Sequence, residues 1–109
     1  MELLELKSEF ENVLNLVLSS DYACDQNSTN KKMASLLKES EKFEKHIMFT
    51  LAYAGFLCRR LTNANNYVYW KLLEATDEEL KEFKRIRLEC LTALAEINES
   101  LDAKFNVMV

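Results

Sequence analysis

Proline is absent from this chain of 109 residues, and glycine occurs once, as Gly55. Sandwiches and barrels turn every ten residues or so, and their turns draw on both residue types. Their absence excludes those folds and predicts an all-α protein. The single glycine also excludes a glycine-rich phosphate loop. Histidine and tryptophan occur once each, as His46 and Trp70. The three cysteines, Cys24, Cys58 and Cys90, are odd in number and form no CxxC pair. That spacing supports neither a zinc site nor a dithiol redox centre. Structural thiols in a reducing cytoplasm are the expectation.

Acids outnumber bases 18 to 14, so the net charge is −4. Binding of nucleic acid by the whole domain is disfavoured by that sign. The chain opens Met1-Glu2-Leu3-Leu4-Glu5, without the basic start of a secretion signal. Its longest charge-free apolar run, Ile47 to Cys58, is far short of the ~20 residues of a membrane span. A cytoplasmic protein of one domain, residues 1–109, is expected.

What is present is helical periodicity. Leu3, Leu6, Phe10, Val13 and Val17 alternate steps of three and four, predicting a first helix over about 2–20. Asp21 to Asn30 is polar and reads as a loop. Met33, Leu36, Leu37, Ser40, Phe43, Ile47, Leu51, Ala54, Cys58 and Leu61 predict one long helix over about 31–61. Tyr67 to Ala75 reads as a short helix. Thr76-Asp77-Glu78-Glu79 is a capping box that opens a last helix over about 77–105. These stripes are coiled-coil-like. The fold expected is an antiparallel helical bundle of three long helices and a short one, with helix one over the end that holds Met33 to Phe43 and Ile97 to Phe105.

Two features bear on function. First, residues 45–73 carry Lys45, Arg59, Arg60 and Lys71 and no acid, a run of 29 residues with a charge of +4. Second, Ile47 to Leu57 are apolar on every side of a helix, more than one bundle stripe buries. Thr50, Ala54 and Cys58, with Gly55 alongside, form a small-residue track that suits a close helix crossing, within the chain or with another. The Ile47–Leu61 end of the hairpin is expected to lack a long helix of its own as cover.

Enzymatic chemistry finds little footing. His46 has Lys42, Phe43, Phe49 and Thr50 at helical spacing, none of them a metal ligand or an orienting acid. Position 43 is Phe, so the Glu-x-x-His of di-iron bundles is absent. No catalytic residue, metal or cofactor is expected. The candidate interaction residues are Phe49, Tyr53, Phe56, Arg59, Arg60, Tyr67, Tyr69 and Trp70, because arginine, tyrosine and tryptophan are enriched in protein–protein hot spots. The function expected is non-enzymatic binding of a protein partner or of a second copy as a homodimer, in the manner of inhibitors, immunity proteins or adaptors. The alternative is a nucleic-acid-associated regulator that stacks bases on the basic, aromatic segment 59–71.

Overall fold

The computed structural model describes residues 1–19, 26–71, 74 and 76–105, with side chains left undescribed at 26 and 66–71. It contains α1 (Leu3–Ser19), α2 (Gln26–Ser40), α3 (Lys45–Lys71), α4 (Asp77–Glu99) and the single turn α5 (Leu101–Lys104). No strand occurs among the described residues.

The expected helix over 31–61 is two helices. Its periodicity runs through a tight turn at Glu41–Glu44. There the amides of Glu41, Lys42 and Phe43 bond to the carbonyls three residues back, at 3.3, 3.3 and 3.0 Å. This is the tightened last turn in which many helices end. Ser40 is wholly buried, and its hydroxyl donates to the Leu37 carbonyl. Such a bond competes with the helix ladder. The Glu44 carbonyl then accepts from Ile47 and Met48 and starts α3. Residues on both sides of the turn face one core, so the spacing of three and four is preserved across it.

Other boundaries also move. α2 starts at Gln26, within the loop expected over 21–30, and residues 21–25 of that expected loop lie outside the described residues. Residues 67–71 continue α3 instead of forming a separate helix, and the rest of the expected segment, 72, 73 and 75, lies outside the described residues or, at Glu74, is a turn. Gly55 does not interrupt α3. The expected helix 77–105 divides at Ser100, whose amide bonds back to Glu96 and Ile97 and which begins α5.

The bundle therefore has four long helices. α1 packs on α2 and on α4, and α3 packs on the same two. Polar pairs give the directions. Glu9–Lys32 and the Met1 amino group with Glu39 run α1 against α2. Asn30 bonds to Thr62 at 3.2 Å, so α2 runs back along α3. Arg60 reaches Glu89 on α4, while Asn98 bonds to Asn15 and Lys7 pairs with Asp102 to run α4 and α5 against α1. The result is up-down-up-down, drawn out to 54 × 22 × 21 Å.

One continuous core links all five helices. Leu6, Phe10 and Leu14 of α1 meet Met33 and Leu36 of α2, Ile47, Leu51 and Ala54 of α3, and Cys90 and Leu94 of α4, all at or near zero exposure. Phe10 and Phe105 stack at a tilt, ring centres 5.9 Å apart, so helix one covers the expected end.

Candidate interaction face

The inner side of α3 is packed. Ile47, Leu51, Ala54, Leu57, Cys58 and Leu61 are buried among the other helices. The expectation that Ile47–Leu61 lacks cover is therefore corrected: α2 folds back along this half of α3, and α1 closes the core behind it. Part of the small-residue track faces that packing: Gly55 stands against Met33 of α2, and Ala54 and Cys58 are buried, whereas Thr50 is only half-buried. The contact at Gly55 is within the chain and at ordinary van der Waals distance.

Three large side chains of α3 are left out of the core. Phe49, Tyr53 and Phe56 are 61%, 51% and 52% exposed. Their spacing of four and three places them on one line along the helix. The next steps, again four and three, reach Arg60 and then Asn63, which is exposed. Continued, the spacing falls on Tyr67 and Trp70; Tyr69 falls off it. The side chains of Tyr67, Tyr69 and Trp70 lie outside the described residues.

A groove runs beside this ridge, between α3 and the C-terminal part of α4 with α5. His46, Phe49, Thr50 and Tyr53 line one bank, and Ala93, Glu96, Ile97, Ser100 and Lys104 the other. Ile97 is buried and forms the floor. Leu88, 67% exposed, stands on the outward side of α4.

The charges around the groove are mixed. α3 carries bases and no acid: Lys45 and Arg59 are exposed, and Arg60 reaches Glu89 at 3.8 Å. α4 and α5 carry the exposed acids Glu82, Glu89 and Glu96 together with the exposed bases Lys81, Lys84, Arg85, Arg87 and Lys104, the last of which lines the groove beside Glu96. Arg85 pairs with both Glu82 and Glu89. Its hydrogen bond holds the Glu82 carboxyl below the ordinary range, and the two carboxylates push the guanidinium further up.

His46 sits in the first turn of α3, with Nδ1 3.2 Å from a Glu44 carboxylate oxygen. Glu44 precedes α3 and lies two residues from His46, so helical spacing along the sequence does not reveal this pair. Cys58 and Cys90 are free and buried. Burial raises both thiols, Cys58 to about 11, with Cys90 adding to the Cys58 shift. Such thiols are poor nucleophiles. Among the described residues, no group of three or more His, Cys, Asp or Glu is placed to hold a metal ion. Among them, too, no helix is long and apolar enough to cross a membrane.

Comparison with protein-family models, with curated proteins and with solved structures finds no match for this chain.

Proposed function

We propose that this protein is a non-enzymatic binding module whose contact surface is the outward ridge of α3. One observation carries the reading: three aromatic side chains more than half exposed on a single line of one helix. Apolar area left in water is unfavourable by roughly 25 cal/mol per Å². Contiguous apolar patches of this kind mark interaction sites, whereas scattered ones do not. Arg60 extends the line with the residue type that most often joins aromatics in hot spots. The partner is a protein that presents apolar side chains ringed by acids, a second copy included. Two buried free thiols fit a reducing compartment, and we place the protein in the cytoplasm.

The test is a photo-reactive benzophenone side chain at position 53, compared with the same group at Leu4. Leu4 is more exposed, at 78%, but lies on α1, away from the ridge. Illumination in cells should give protein adducts from position 53 that disappear in the Phe56→Glu background. Adducts from position 4 alone would overturn the proposal.

A further inference from the structure

We infer that the partner engages the ridge from the α2 side, through an acidic amphipathic helix laid along the furrow between α2 and α3. The inference rests on the binding reading above and names the chemistry of its partner. The observation behind it is a cluster of cations without counter-ions beside the ridge. From Gln26 to Lys71 the chain carries eight bases and three acids, a charge of +5 in a protein of −4. Those three acids, Glu39, Glu41 and Glu44, stand at or beside the turn that joins α2 to α3, with Lys45 among them. Glu39 is held by Lys42 and the Met1 amino group, and Glu44 by His46. Lys32 is taken by Glu9 and Arg60 by Glu89. Lys31, Lys38 and Arg59 are exposed and make no ion pair among the described residues.

These three cations share one face. Lys31, Ala34 and Lys38 are exposed and follow each other by three and four residues, a line along α2. At about 100° per residue, this line lies on the same side of the buried Met33 as Asn30, which bonds to Thr62 of α3. Lys32 and Glu39, which reach Glu9 and the Met1 amino group, lie on the other side. The line therefore flanks α3. Arg59 comes to meet it: a terminal nitrogen stands 3.8 Å from the Cβ position of Gly55, itself 3.5 Å from Cγ of Met33. The guanidinium thus lies over the furrow near the level of Ala34, between Lys31 and Lys38. Phe56, three residues before Arg59, borders the furrow from the ridge. On the α4 flank, by contrast, Arg60, Arg85, Glu82 and Glu89 neutralise one another. Charge therefore selects the α2 flank for a partner that brings acids. Lys31 and Lys38 are two turns apart, about 10 Å along α2. A helix along the furrow meets them with acids about seven residues apart and covers Phe56 with the apolar residues between. The cluster is short and ends at Glu41, and the protein as a whole is negative, which suits an acidic helix better than a polyphosphate strand.

Benzophenone at position 34 of the whole chain should give protein adducts in cells, as it does at position 53. Lys31→Glu with Lys38→Glu, at two exposed positions, should keep the helical circular dichroism and lower both sets of adducts by about tenfold or more. Lys81→Glu with Lys84→Glu, on α4, should leave them unchanged. Mass spectrometry of the peptide linked to position 34 should find two acids about seven residues apart. Position-53 adducts that persist through the α2 reversal, or that occur with none at position 34, overturn the inference and leave the binding face standing. So does a linked peptide without such acids. An equal loss from the α4 reversal assigns the effect to net charge and also overturns it. Adducts at position 34 that nuclease removes overturn it in favour of a nucleic acid. No adduct at either position overturns the binding reading as well.

Discussion

A Cβ placed on Gly55 of α3 would stand 3.5 Å from Cγ of Met33 on α2 and 3.8 Å from a terminal nitrogen of Arg59. Both are ordinary van der Waals separations. Glycine is therefore not required for the approach of these helices, and its position in a helix interior is unfavourable by about 1 kcal/mol relative to alanine. Gly55→Ala should raise stability by about 0.5–1 kcal/mol, read as a higher urea midpoint at unchanged slope. A lower midpoint would show that α2 and α3 approach more closely than this geometry allows.

Thr76 caps α4 by both halves of its box. Its hydroxyl accepts from the Glu79 amide at 3.1 Å, and the Glu79 carboxylate accepts from the Thr76 amide. Thr76→Ala should cost about 0.5–2 kcal/mol, whereas Thr76→Ser should cost less. Equal losses would mean that the hydroxyl does not hold the helix start.

Phe10 is fully buried and stacks on Phe105, which joins the first helix to the last turn of the chain. Phe10→Ala should destabilise by about 3–5 kcal/mol through the lost transfer energy and the cavity left behind. Phe49→Ala, on the exposed ridge, should change monomer stability far less. Comparable losses in chemical denaturation would place Phe49 in the core.

The Cys58 thiol is raised from 9.0 to about 11, mainly by burial. In the unfolded chain the thiol loses its proton near pH 9, while the folded protein keeps it to about pH 11. The folded state thus binds more protons across that window, and stability falls as pH rises through it. Two units correspond to roughly 2–3 kcal/mol, fully present below pH 9 and gone above about pH 11. Cys58→Ala should flatten the fall in thermal midpoint between pH 9 and 11. An equally steep profile in the variant would assign the loss to other groups.

Much of this architecture is legible along the chain. The start of α4 can be read because a capping box is local: four consecutive residues satisfy the free amides of one turn. The first helix follows from its own spacing. The break at Glu41–Glu44 cannot be read in the same way. Leu36, Ser40, Phe43 and Ile47 keep a helical interval across it because both helices face one core, and neither glycine nor proline marks the turn. With one helix assumed in place of two, Ile47–Leu61 looked uncovered. Residue type and the all-round apolar run single out Phe49, Tyr53, Phe56, Arg59 and Arg60 as candidates, but not which side of the helix each is on: Phe49, Tyr53, Phe56 and Arg60 share one line, and Arg59 lies beside Gly55. Their alignment on one face emerged only once the buried side of α3 was known.

Composition and periodicity by themselves determined that this chain is helical, where its last long helix begins, and that its middle segment holds more apolar surface than one stripe can bury. Those properties depend on neighbours three or four residues apart, and any reader of the chain has them. Only the tertiary structure decided that α2 doubles back on α3, that Met33 rather than another chain meets Gly55, and that Phe49, Tyr53 and Phe56 are the residues left outside. The reason is that an apolar helix states how much surface must be covered, while the turns and the packing of the other three helices determine which side receives the cover.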